Sequence, residues 1–260
     1  MKTLHRDGVS LAYQEAGSGG GRPMLFVHGW GCNHAHFTFQ QAFFGQTRRT
    51  VAVDLRGHGA SDAPGQAYTV AAFVEDLAWQ CRQLGLTKPI VIGHSMGGNI
   101  ALEFAARHPA LVEAIVAIDS VMFPQTAFVE RLQSLREALR GADYVPVVEQ
   151  VVGSLFIPAD DPVERRRITS SIAATRRHVL ESALVGHIID YDAAPAAAAC
   201  KCPVGYIGAE IPLVDLARFR QLTPQLSVGQ TMGSGHFSPL LVPDQINAML
   251  LGFQRACVGG

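Results

Sequence analysis

The sequence predicts an α/β protein: a doubly wound, mostly parallel sheet that carries a helical insertion late in the chain. Three observations predict it. Short, continuous apolar runs recur at 24–27, 50–53, 89–92, 114–118 and 203–207, as strands buried on both faces require. Helical periodicity fills the gaps between most of them, so strands and helices alternate. Between about 123 and 200 the strand signals vanish and helical stretches take over.

Taken in order, residues 9–16 (VSLAYQEA) read as a first strand, followed by a glycine turn over 17–21. The run at 24–27 ends in His28-Gly29-Trp30-Gly31, and that at 50–53 in Asp54-Leu55-Arg56-Gly57-His58-Gly59. Over 69–84, Val70, Phe73, Val74, Leu77, Cys81 and Leu84 repeat at three- and four-residue steps, the stripe of an amphipathic helix. The run at 89–92 leads into Gly93-His94-Ser95-Met96-Gly97, and a helix over 99–108 leads out. The strand at 114–118 ends at Asp119. Helices are expected at about 125–140, 143–155, 161–177 and 178–189, broken at Gly141, Pro158 and Pro162, with the alanine-rich 193–199 as a connector. The sheet resumes at 203–207, followed by a helix near 213–222, a strand near 226–228 and a loop over 233–237. Pro243 opens the last helix, where its fixed φ suits a first turn. The chain thus divides into a core over 1–122, a helical cap over 123–200 and the rest of the core over 201–260, with no internal repeat.

Composition narrows the function. The 260 residues are 48% hydrophobic and 17% charged, which describes a chain able to bury a sizeable core. A net charge of -1 gives no electrostatic footprint for nucleic acid. Arg165-Arg166-Arg167 and Arg176-Arg177 follow Asp160, Asp161 and Glu164, the pattern of a solvated helix face. The five cysteines are odd in number and lack zinc-ligand or C-x-x-C spacing. Cys200 and Cys202 are too close for an unstrained bridge in an extended segment, so free thiols in the cytoplasm are expected. No secretory h-region or transmembrane run occurs, so no membrane association is expected, and nothing specifies an oligomeric state.

The chemistry centres on Gly93-His94-Ser95-Met96-Gly97. A serine on a sharp strand-to-helix turn sits in strained geometry with its hydroxyl exposed, and the flanking glycines let neighbouring chains approach. A hydroxyl needs an adjacent base to become nucleophilic. Of ten histidines, His236 is best placed, in a glycine-rich loop after the last strand. His94 is expected to point away from Ser95, and His34, His36, His108, His178 and His187 to lie on the surface. The developing oxyanion needs two prearranged donors, for which the N–H groups of Met96 and Trp30 qualify. His28 then braces the loop that carries Trp30. Three carboxylates compete to orient His236. Asp119 ends a buried strand, Glu210 follows the next one, and Asp215 falls in the helix beyond. Asp119 is preferred for its position at a strand's carboxyl end.

His28-Gly29-Trp30, the stretch Asp54 to Asp62, Gly93 to Gly98 and Gly235-His236-Phe237 together resemble the α/β-hydrolase superfamily over nearly the whole chain outside the cap. The resemblance implies Ser95 as nucleophile, His236 as base, Met96 and Trp30 as oxyanion hole, and neither cofactor nor metal. Family members usually carry the acid in a G-x-x-D pattern after the strand before last. Here Ile211 stands in its place, within Gly208-Ala209-Glu210-Ile211. Asp119 matches relatives that carry the acid one strand early.

The expected function is hydrolysis of a small ester, lactone or related acyl compound through an acyl-enzyme. Gly29 to Cys32, Ile118-Asp119 and His236-Phe237 followed by Val242-Pro243-Asp244 also resemble cofactor-free ring-cleaving dioxygenases of the same fold. A carbon–carbon bond hydrolase and a small-molecule receptor are the remaining alternatives. Phe123, Phe128, Leu132, Leu155 and Phe156 of the cap suggest an apolar pocket for a small-molecule substrate.

Overall fold

The structure, a computed structural model, describes residues 1–124 and 126–258. Eight strands form one sheet in the order β1-β2-β4-β3-β5-β6-β7-β8. They are β1 (Lys2–Arg6), β2 (Val9–Gly20), β3 (Met24–Val27), β4 (Arg48–Val53), β5 (Ile90–His94), β6 (Ala114–Ile118), β7 (Val204–Gly208) and β8 (Leu226–Gln230). β2 runs antiparallel to both β1 and β4, and every other pairing is parallel. The fully buried β3, β5, β6 and β7 are the continuous apolar runs of the sequence. β1 lacks that signal because it is an edge strand exposed on most of its length. The glycine turn expected over 17–21 is largely strand, with a register shift between Ala16 and Gly20.

Helices cover both faces. α1 (Thr38–Phe44), which had no sequence signal, lies with the last helix against Phe26, Ile92 and Val116. α2 (Val70–Gln83) and α3 (Met96–Arg107) cover the other face, burying Phe73, Leu77, Ile100 and Phe104. Thr69 caps α2 through its side-chain oxygen, which accepts from Ala72 N–H.

Between β6 and β7 the chain forms α4 (Thr126–Leu139), α5 (Tyr144–Gly153), α6 (Pro162–Ala173), α7 (Arg177–Leu184) and α8 (Ala194–Ala199). The helix expected from 125 has its first residue, Gln125, outside the described residues. The helix expected over 178–189 ends at Leu184 and continues as a π-helical turn, Val185–Ile189. The first four of these helices share a separate apolar cluster over the carboxyl ends of the strands, with Leu135, Val152, Ile168 and Leu180 at its centre. The 193–199 stretch forms α8 rather than a connector. Ala196, Ala197 and Cys200 pack into the core cluster of α3, so this stretch belongs to the core layer although the expected cap reached residue 200. α9 (Leu216–Leu222), α10 (Ser238–Leu241) and α11 (Pro243–Cys257) complete the chain.

Buried and half-buried polar groups pin the cap to the core. Trp30 Nε1–H donates to the Leu180 carbonyl at 2.7 Å, and the Thr175 hydroxyl to the Gly31 carbonyl at 3.0 Å. Asn99 of α3 donates to the carbonyls of Val121 and His187, at the entry and exit of the insertion. Each bond satisfies a backbone group that burial would otherwise strand. The five cysteines are unbridged, with Cys200 and Cys202 Sγ atoms 3.6 Å apart.

Besides His236, five histidines are buried and act as further ties. His28 Nδ1–H donates to the Gly29 carbonyl, and its Nε2 accepts from Leu55 N–H, so one ring joins the loops after β3 and β4. Burial pushes the imidazoles of His28, His36 and His187 down to about 4 and that of His58 to about 3, and holds His94 well below its ordinary value. His36 and His187, read as surface groups from the sequence, are thus interior. The unfolded chain takes up these protons near 6.5 and the folded chain does not. The stability they protect is therefore whole above that pH and lost as pH falls toward 4. For the four rings held near 3 to 4, the loss on acidification is on the order of 1–3 kcal/mol each. The thermal midpoint should fall steeply between pH 6.5 and 4, and a flat midpoint over that range would contradict the neutral, buried state of these rings.

Candidate active site

The site lies where β3, β5 and β6 end under the cap. Ser95 follows β5 directly and has φ 55° and ψ −120°, a left-handed geometry that a non-glycine residue adopts only under constraint. Its N–H is held by the Ile118 carbonyl at 2.9 Å. Glycines make the turn possible. A Cβ on Gly93 would meet the Gly97 carbonyl, one on Gly97 the Val27 and His28 carbonyls, and one on Gly98 the Ser120 hydroxyl. α3 begins at Met96, three residues earlier than its periodicity suggested, so its N-terminus directly adjoins the serine.

The Met96 and Trp30 N–H groups have no backbone acceptor among the described residues. The loop carrying Trp30 presses on the elbow, since a Cβ on Gly29 would come within 3.0 Å of Ser95 Cβ. Met96 follows the serine directly and Trp30 follows Gly29, so both residues adjoin it.

Asp119 ends β6 with φ 42°, its N–H bonded to the Ile207 carbonyl at 2.8 Å. Its Oδ2 accepts from His236 Nδ1–H at 2.7 Å, and both groups are buried. Its Oδ1 accepts from Ala209 N–H at 3.1 Å and faces the Tyr206 hydroxyl at 3.5 Å. Burial and the neighbouring carboxylate push the Tyr206 phenol up, so it stays protonated and able to donate. The other two carboxylates are elsewhere. Glu210 is exposed and accepts from Gly233 N–H, while Asp215 is exposed at the N-cap of α9 and accepts from Arg218 N–H. Asp215 thus sits before its helix rather than inside it.

His94 does not simply point away. Its Nε2–H donates to the His236 carbonyl at 2.9 Å, and the two rings lie 4.6 Å apart between centroids.

Ser95, His236 and Trp30 line one cavity of about 160 Å³. Its described walls are mostly aliphatic and aromatic, with Phe128, Leu132, Val151 and Leu155 from the cap and Leu213 from the loop after β7. Within it Ser95 and His236 share one wall without a hydrogen bond between them. His187, from the π-helical turn, adds a polar wall, its Nδ1–H bonded to the Ala183 carbonyl. No sequence signal singled it out, because a π-turn rotates a helix face away from its 3.6-residue register. A larger cavity of about 500 Å³ adjoins this one and shares Val121, Phe128 and Leu213 with it, while containing neither Ser95 nor His236. Phe123 lines that outer space, packed on Phe219 and under Arg218, and Phe156 packs on Phe237. Neither lines the Ser95 cavity.

Sheet order, elbow and buried Asp–His pair are those of the α/β-hydrolase fold. Comparison with known proteins agrees. Residues 22–150 match the profile described as alpha/beta hydrolase fold. 2-(Acetamidomethylene)succinate hydrolase of Mesorhizobium japonicum is 29% identical over 91% of this chain and 88% of that protein. Epoxide hydrolase 3 of Mus musculus is 38% identical over a shorter stretch, 42% of this chain and 30% of that protein. The enol-lactonase from Burkholderia xenovorans LB400 superposes with a TM-score of 0.88 at 20% identity, covering 98% of this chain and 100% of that one. The chain belongs to the α/β-hydrolase superfamily and is a hydrolase. Among the described residues no helix is long and apolar enough to cross a membrane.

The close contacts at Gly97 are with backbone, which cannot move aside. Gly97→Ala should therefore destabilise the protein by about 2–4 kcal/mol. Gly153→Ala at the end of α5 meets open space and should be neutral or stabilising by up to about 1 kcal/mol. Urea unfolding of both variants checks the contrast.

Proposed function

We propose that this hydrolase is a cofactor-independent serine enzyme that cleaves a small ester, lactone or related acyl compound through an acyl-enzyme. The observation that carries the reading is the 2.7 Å bond from His236 to Asp119 at the edge of the cavity that holds Ser95. With Nδ1–H committed to the carboxylate, His236 presents the lone pair of Nε2. That nitrogen accepts the Ser95 proton as the hydroxyl attacks the substrate carbonyl, and Asp119 stabilises the imidazolium. The N–H groups of Met96 and Trp30 receive the oxyanion, helped by the positive end of α3. His236 then returns the proton to the leaving alcohol, and a water deprotonated by the same ring releases the acid.

The cavity supports a small, largely apolar substrate portion next to the carbonyl, with the adjoining outer space as its approach. The relatives include proteins whose names state hydrolysis of an acetamido compound, an enol-lactone and esters, which fits acyl chemistry. The partner is a small molecule rather than nucleic acid or membrane, and the five free thiols fit the cytoplasm.

Ser95→Ala should reduce turnover of p-nitrophenyl esters by about 10⁴-fold or more with the fold intact. Asp119→Asn should lower kcat by on the order of 10⁴ through the wrong tautomer of His236. Glu210→Gln and Asp215→Asn should stay within about tenfold of the parent protein. A collapse at Glu210 or Asp215 with Asp119→Asn active would refute the assignment of the acid. Near-parental hydrolysis by a folded Ser95→Ala protein would rule out the acyl-enzyme.

A further inference from the structure

Asp160 lies in the loop between α5 and α6. In sequence it reads as part of a solvated acidic face, yet its side chain is 5% exposed and no cation stands within 4.0 Å of it among the described residues. A carboxylate so buried needs its oxygens satisfied by donors. Oδ2 accepts from Ile157 N–H at 2.8 Å, which folds the loop on itself. Gly235 N–H points between the two oxygens, 3.0 Å from Oδ1 and 3.3 Å from Oδ2. The next residue repeats the connection, because His236 N–H donates to the Leu155 carbonyl at 3.0 Å. A side chain has no room at 235, where a Cβ would lie 2.6 Å from Asp160 Oδ2 and 2.7 Å from the Leu155 oxygen. Both backbone donors entering His236 are thus held by the cap, while the core holds its carbonyl through His94 and its ring through Asp119.

From this we infer that Asp160 is a positioning residue for His236, joining the cap to the base so that the imidazole reaches its working place only with the 155–160 loop seated. The inference rests on His236 acting as the base. A charge-assisted bond to a backbone N–H is among the stronger tethers available to a loop, and an error of about 1 Å at a reacting group costs up to about 10²-fold in rate. Asn99, Thr175 and Trp30 anchor the rest of the cap independently, so losing Asp160 frees the loop without undocking the helices.

Steady-state kinetics on a p-nitrophenyl ester separate the possibilities, with His236→Ala measured alongside. Asp160→Ala should lower kcat by about 10- to 100-fold while KM stays within about threefold, because the cavity walls persist and the base is displaced. Asp160→Asn keeps one acceptor oxygen for two donors, and its kcat should fall between those of Asp160→Ala and the parent, by at least about threefold. Where Asp160→Ala does not fold, that loss in Asp160→Asn with unchanged KM decides the matter. Parental kcat in either folded variant overturns the inference, as does a loss carried by KM alone, which would make Asp160 a support of the cavity. If His236→Ala itself retains activity, the reading of the base fails, and that result is distinct from a failure at Asp160.

Discussion

The backbone of Ser95 is the constraint on which the rest depends. A residue with φ 55° costs free energy on its own and persists only when its surroundings over-determine it. Here β5 delivers it from a fully paired strand, the Ile118 carbonyl fixes its N–H, and α3 starts at the next residue. Three glycines remove every Cβ that would push strand, helix and the β3 loop apart. The parallel sheet supplies the rigidity that keeps this turn from relaxing, and the same ordering brings His28, Ser95 and Asp119 to one edge.

A second layer is electrical. The interior around the elbow holds five imidazoles that burial keeps neutral, so they tie loops together without adding charge. Asp119 is engaged on both oxygens, by His236 on one and by Ala209 N–H and Tyr206 on the other. That arrangement satisfies a buried carboxylate and fixes the ring that faces the cavity.

Much of this was legible in the sequence, and the reasons are specific. β3, β5, β6 and β7 announced themselves because strands buried on both faces need apolar residues at every position. Gly93 and Gly97 stood out because a Cβ at either would strike backbone, and Ser95 because its hydroxyl lies between them on a strand-to-helix turn. The bond from His236 to Asp119 was foreseeable from strand ends, although Ile211 in the usual acid position made the choice less plain. β1 and α1 were silent, the first because an edge strand buries little. Asp160 and His187 were misread because burial of a polar side chain depends on tertiary partners remote in sequence. Gly235 and the π-helical turn are those partners' doing, and neither has a local pattern that flags the contact.

The location of Asp119 has a consequence for the segment after β7. Since His236 bonds to the end of β6, residues 210–215 carry no part of the Asp–His pair, and Ile211 is 72% exposed. Leu213 from the same segment nevertheless forms a wall of the Ser95 cavity. The segment is thereby free of the Asp–His pair while it still borders the cavity. Such a stretch can drift, lengthen or be grafted from another chain, so the cavity wall can change without disturbing the bond between Asp119 and His236.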